Sequence, residues 1–121
     1  DGSFMFNVQE LETAVRKNLP IIICIANNCA WGMLKTYQKN SMKRRYCDVD
    51  LPVIDYSQIA KAFGCYGEKI EKPEDIKPAL QRAIDSGKPS VLDISISFES
   101  PPAGKFLGTY KQSKGLFGTG Y

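Results

Sequence analysis

Asp1-Gly2-Ser3 and Asn27-Asn28 are the residues of this chain whose types and spacing can do chemistry. A carboxylate, an amide oxygen and a Gly-Ser backbone together suit a magnesium ion held against a diphosphate. Magnesium demands near-octahedral oxygen ligands at ~2.1 Å and takes few of them from protein, leaving the rest to phosphate and water. Asp1 offers a charge, Asn28 a neutral amide oxygen, and the main-chain carbonyl of Ala30 a third ligand as the chain turns. Gly2 lets the backbone come close to a phosphate. The N–H groups of Gly2 and Ser3, with the Ser3 hydroxyl, can donate to its oxygens. A helix N-terminus nearby adds roughly half a positive charge. That is too weak alone, so the metal must do most of the neutralising.

The elements between the two signals must bring them together. Val8, Leu11, Ala14 and Val15 fall on one helical face between Asn7 and Lys17. Asn7 is a fair N-cap, with Glu10 at capping-box spacing, and Pro20 closes the turn that follows. Ile21–Ala26 is a continuous β-branched run without alternation, which predicts a strand buried on both faces of a parallel sheet. A helix of ~11 residues travels ~16 Å, and a strand of ~6 residues returns ~20 Å. The two journeys nearly cancel. Asp1 and Asn28 are thus expected at the carboxyl edge, where open α/β sheets place ligands. Asp-Gly is a common turn pair, and Asn-Asn after a strand is often just a loop; the matched helix and strand between them favour the site.

Further along, Asp55 opens a helix to about Phe63 with Gly64 as its stop, and residues 65–70 read as a short strand. A third helix spans about Pro73–Ser86, with Ile76, Ala79, Leu80, Ala83 and Ile84 facing inward. Pro78 makes its opening turn irregular, and Gly87 ends it. Ser90–Ser97 is a strand with Leu92, Ile94 and Ile96 on one side. Asp93 is expected near a strand end or hydrogen-bonded, without a catalytic role. This order predicts an α/β fold, a Rossmann-like three-layer sandwich with a mostly parallel sheet. Residues 32–54 read as a long polar loop with a short helix near Met33–Gln38. Its basic residues Lys39, Lys43, Arg44 and Arg45 read as a solvated loop.

Composition narrows the chemistry. The chain has 121 residues, 43% hydrophobic, the bulk of one globular domain. Starting at Asp inside the motif, it reads as a fragment of something longer. We expect a domain over residues 1–97 and a Gly-rich C-terminal arm over 98–121. The net charge of +3 is too mild to argue for nucleic acid. Three lysines among the aromatics of the tail do not change that. No apolar run approaches the ~20 residues of a membrane span. Histidine is absent, which removes His-dependent triads and His-metal sites from this stretch. The cysteines at 24, 29, 47 and 65 form no Cys-x-x-Cys pair. Cys24 is expected in the core, and a reduced, cytoplasmic setting follows.

With those residues in hand, a family resemblance emerges. Asp1-Gly2-Ser3-Phe4, Asn7 through Ala14, Asn18-Leu19-Pro20, Asn27-Asn28 and Trp31-Gly32-Met33 closely resemble the thiamine diphosphate-dependent enzymes, most like acetolactate synthase and pyruvate oxidase. Their fingerprint is Gly-Asp-Gly, a spacer of some two dozen residues, then Asn-Asn; the first Gly is missing here. The resemblance implies that Asp1, Asn28 and the Ala30 carbonyl bind Mg2+. It also implies that Gly2, Ser3, Asn28, Ala30 and Met33 contact thiamine diphosphate. Leu34 stands where decarboxylases of the pyruvate decarboxylase type carry a catalytic Glu, which points toward the synthase or oxidase side. Met33 and Tyr37 also look like the synthase pattern.

The implied activity is decarboxylation of a 2-keto acid and ligation to a second carbonyl, the cofactor supplying the chemistry. The activating Glu of such enzymes lies in another domain, usually of a partner subunit, so the chain is expected to be catalytically incomplete alone. Upstream domains, a second subunit and a homo-oligomer are the implied partners. Flavin (FAD) dependence stays open. Rival readings are a non-catalytic Rossmann-like module for another phosphorylated ligand, a silent homologue, or another member such as pyruvate oxidase or an aldehyde lyase.

Overall fold

The computed structural model describes residues 1–98. The arm expected over 98–121 therefore lies, except for Phe98, outside the described residues. The chain opens with a single helical turn, α1 (Gly2–Met5), followed by α2 (Glu10–Arg16), β1 (Ile22–Asn27), α3 (Gly32–Ser41), α4 (Tyr56–Ala62) and β2 (Tyr66–Ile70). A 3-10 turn (Pro73–Asp75) then leads into α5 (Ile76–Asp85), and β3 (Ser90–Ser95) follows. The strands form one parallel sheet in the order β1-β3-β2, with Cys24 and Glu68 both level with Leu92. Helices cover both faces. This is the predicted α/β architecture.

Local chemistry explains the boundaries. Asn18 ends α2 in the left-handed region at φ 50°. There Leu19 N–H donates to the Ala14 carbonyl at 2.9 Å and Asn18 N–H to that of Val15 at 3.0 Å. This is the Schellman arrangement, and Asn is one of the few side-chain-bearing residues that tolerates it. The Asp55 carboxylate caps α4, accepting from Ser57 N–H at 3.0 Å and Gln58 N–H at 3.3 Å. Gly64 and Gly87 stop α4 and α5 at positive φ. Pro78 falls in the first turn of α5, directly after the 3-10 turn, so its missing N–H costs no helix bond.

Two cores sandwich the sheet. On one face Leu11, Ile25, Tyr56, Ala60, Cys65 and Val91 pack together with Phe4, Val8 and Ile23. On the other, Ile70, Ala79, Ala83 and Leu92 join Ile22 and Ile94 beneath α5. Each buried Leu or Ile contributes about 1.5–3 kcal/mol.

Several expectations are corrected. Asn7 does not cap α2. The chain spends Gly2–Met5 on its own helical turn, Asn7 N–H closes that turn on the Phe4 carbonyl, and Gln9 holds the cap position without a side-chain bond. The β1 run is not buried on both faces: Ile25 is, but Cys24 and Ala26 are exposed. The reason is strand order. β1 is the sheet edge, and α5 packs on β2 and β3 without spanning Cys24 and Ala26. Of the stripe expected to face inward on α5, only Ala79 and Ala83 are buried. Ile76, Leu80 and Ile84 remain partly exposed, because the small alanines form the contact and the stripe is wider than it. Finally, α3 is longer than the short helix expected, and it includes Lys39. Lys43 and Arg44 follow it, exposed and at positive φ.

Candidate functional site

β1 delivers Asn27 and Asn28 to the carboxyl edge of the sheet, where the chain turns through Cys29 at φ 52° into Ala30. The main-chain nitrogen of Asp1 donates to the Ala26 carbonyl at 3.2 Å, which docks the opening residue against the end of β1. The result is a convergence. Asp1 Oδ2 and Asn28 Oδ1 accept from the same N–H, that of Ala30, at 3.2 and 3.1 Å. One hydrogen cannot fully satisfy two acceptors, so this pair retains lone pairs for a further positive partner.

Asp1, Gly2, Ser3, Asn28, Ala30 and Met33 all line one cavity of about 330 Å3, together with Trp31, Gly32, Leu34 and Ile96. All six residues singled out from the sequence are thus brought together. Their surroundings differ. Gly2 and Ala30 are buried, Ser3 and Met33 are exposed, and Asp1 and Asn28 lie between. The expected helix N-terminus is α1 itself, a single turn starting at Gly2 rather than a helix starting near Asn7. The Ala30 carbonyl accepts from Gly32 N–H at 2.9 Å, and a second lone pair remains on it for another partner.

Two glycines sit at close approaches. A β-carbon on Gly2 would stand 2.8 Å from the Trp31 ring, and one on Gly32 would stand 3.0 Å from Asn28 Nδ2. Trp31, which also packs on Phe6 with ring centroids 5.7 Å apart, therefore forms a wall over Gly2. The turn is braced from outside. Trp31 N–H donates to the Val49 carbonyl and Leu51 N–H to that of Cys29, both at 2.8 Å, an antiparallel bridge of Ala30 with Asp50. Lys35 of α3 pairs with Asp50 and lies over the rings of Tyr46 and Phe98.

Beneath the turn lies a buried polar chain. Asp93, fully buried on β3, accepts from Asn27 Nδ2 at 2.9 Å and from Tyr56 N–H at 3.0 Å. Asn27 also donates to the Ile54 carbonyl at 3.2 Å and accepts from Cys29 N–H at 3.2 Å. Burial, and then the Asp93 charge, pushes the Tyr56 hydroxyl above its ordinary range. Among the described residues no buried side-chain polar atom lacks a partner. The expectation that Asp93 is hydrogen-bonded holds.

Sequence reading missed the roles of Asn27, of Trp31 and of residues 49–51. The Asn-Asn pair signalled its second member only, because the first acts through a partner 66 positions away.

A parallel sheet clothed by helices on both faces, with its candidate site at the carboxyl edge, defines the class: a Rossmann-like α/β fold. Within that class, residues 1–94 match the family described as "Thiamine pyrophosphate enzyme, C-terminal TPP binding domain", and the chain belongs to that family. It is 38% identical over 97 residues to the acetolactate synthase isozyme 2 large subunit of Escherichia coli, covering 79% of this chain and 18% of that protein. It is 36% identical over 103 residues to the sulfoacetaldehyde acetyltransferase of Alcaligenes xylosoxydans xylosoxydans, covering 82% and 17%. Benzoylformate decarboxylase from Polynucleobacter necessarius superposes with a TM-score of 0.76 at 29% identity, over 84% of this chain and 19% of that one. The chain spans about a fifth of the length of the curated relatives it matches.

Proposed function

We propose that this chain is the cofactor-gripping part of a thiamine diphosphate- and Mg2+-dependent 2-keto acid decarboxylase/carboligase, of the acetolactate synthase type. The observation that carries the reading is the convergence of Asp1 Oδ2 and Asn28 Oδ1 on one N–H. Oxygen donors, one of them charged, are what a hard divalent cation prefers, and a site with few protein ligands leaves room for phosphate oxygens. The donor set therefore fits magnesium. In this reading Asp1, Asn28 and the Ala30 carbonyl hold the cation, and Gly2 and Ser3 hold the diphosphate. Trp31 and Met33 form the wall of the cavity. When bound, the cofactor supplies a carbon nucleophile and an electron sink for decarboxylation of a 2-keto acid.

The chain's own residues bind and orient. Asp1 offsets cation charge, Gly2 admits the ligand close to the backbone, and the braced turn keeps Asn28 and Ala30 facing Asp1. Leu34, also on the cavity wall, offers no proton to a bound intermediate. An apolar side chain at this position favours ligation over release of a simple aldehyde. The similarity to a synthase agrees with this choice. An activating carboxylate from upstream domains or a second subunit of a homo-oligomer would complete the machinery.

The test is calorimetric titration of thiamine diphosphate with Mg2+ into the full-length protein. Wild type should bind only when Mg2+ is present, and Asp1→Ala should bind at least tenfold more weakly, one charged ligand being worth 1.4 kcal/mol or more. Equal binding by Asp1→Ala would overturn the reading.

A further inference from the structure

Asp93 lies in the middle of the central strand with no solvent exposure, and both its carboxyl oxygens accept hydrogen bonds, one from Asn27 Nδ2 and one from Tyr56 N–H. A carboxylate accepts and does not donate. Asn27 must therefore turn its NH2 group toward Asp93, which sends its amide oxygen the other way, to Cys29 N–H at 3.2 Å and the Cys29 thiol at 3.5 Å. Side-chain amides are otherwise free to flip; here two acceptors, Asp93 and the Ile54 carbonyl, hold the NH2 in one sense. Cys29 holds a left-handed φ of 52°, a conformation that strains a residue with a β-carbon. The Asn27 oxygen steadies it. Cys29 stands between Asn28 and Ala30, whose oxygen and N–H form the convergence with Asp1.

We infer that Asp93 is a positioning residue for the metal and diphosphate site, acting through the amide polarity of Asn27; this presupposes the cofactor site proposed above. The chemistry is directional. Asp93→Asn keeps the shape and replaces one acceptor by a donor. Tyr56 N–H is backbone and cannot invert, so the new NH2 faces that of Asn27, donor against donor. Asn27 is then either pushed off this contact or flipped, and a flip sets its oxygen against the Ile54 carbonyl and its NH2 against Cys29 N–H. In both cases its hold on the turn is disturbed. Adding Asn27→Asp restores the sense of the chain. Asn at 93 accepts from Tyr56 and donates to Asp at 27, which accepts again from Cys29 N–H. The bond to the Ile54 carbonyl is lost, and a carboxyl oxygen then stands opposite that carbonyl.

The experiment measures Mg2+ affinity at fixed thiamine diphosphate by calorimetry in the full-length protein, beside the melting temperature of the cofactor-free protein. Asp93→Asn should weaken Mg2+ binding severalfold, less than the roughly ten- to hundredfold of groups bonded directly to metal ligands, because Asp93 acts through Asn27 and Cys29. Asp93→Asn with Asn27→Asp should recover most of that loss. A double variant binding no better than the single one, with losses following melting temperature, would overturn the positioning role. So would wild-type affinity in Asp93→Asn while Asp1→Ala has lost binding, and the cofactor site would then stand. Should Asp1→Ala itself bind normally, the cofactor reading fails and this role with it. If Asp93→Asn does not fold, Asn27→Ala takes its place: it removes the link to Cys29 while leaving Asp93 its bond from Tyr56. A loss in the same range supports the role, and wild-type affinity overturns it.

Discussion

Asn28 is held by its neighbours at the level of single atoms, and Gly32 is the tightest of them. A β-carbon there would stand 3.0 Å from Asn28 Nδ2, close enough that the amide must give by a few tenths of an ångström. Gly32→Ala is therefore expected to weaken Mg2+-dependent binding severalfold. Stability should change little, since alanine favours a helix N-terminal turn over glycine by up to ~1 kcal/mol. Paired calorimetry and thermal melting separate the two effects. The proximity of Asp1 to Asn28 was legible in the sequence because a helical stretch followed by a strand returns the chain to the edge it left, although that stretch is split into α1 and α2. The buried link from Asp93 was not, because strand order decides which residues of β3 meet β1. A chain read in one dimension does not show that order.

At the scale of elements, the best-defined boundary is the start of α4. Hydrogen bonding from the Ser57 hydroxyl, then from the Gln58 and Ser57 N–H groups and with the Lys69 charge nearby, lowers the Asp55 carboxyl below its ordinary range against the opposing effect of partial burial. A depressed folded-state value means the carboxylate stabilises the fold fully above the unfolded value of about 3.9. That contribution is lost as pH falls through the folded-state value. Asp55→Ala should cost about 1 kcal/mol at neutral pH, and the difference from wild type should vanish in urea melts run at strongly acidic pH. This cap was readable from Asp55 alone, and the stops from Gly64 and Gly87. α3 was underestimated because its apolar residues do not form one buried stripe: Met33, Leu34 and Tyr37 are exposed and only Thr36 is buried. It is held from the side by Lys35 with Asp50 and by Lys35 and Lys39 over Phe98.

At the scale of the whole molecule, the described residues leave apolar side chains open on β1 and α5. Cys24 and Ala26 on β1 are exposed, and Leu80 and Ile84 of α5 are partly exposed. Among the described residues β1 pairs only with β3, so its outer row of backbone groups is largely available to another strand. Open, apolar edges invite association between copies. The 121-residue chain expressed alone should run larger than a monomer on size exclusion, and Cys24→Lys should shift it toward monomer by placing a charge on that edge. Free Cys65 is buried, and burial raises its thiol above the ordinary range, so it should not account for the association. No helix among the described residues is long and apolar enough to cross a membrane.

The shared N–H of Ala30 has a kinetic corollary. It holds the Asp1 carboxylate and the Asn28 amide oxygen together although they repel. On the cofactor reading proposed above, loading would be a swap, with the incoming charge taking over the task of a hydrogen already in place. Little of the chain would have to rearrange, and the slow event left would be the ion shedding its own water, which magnesium does reluctantly.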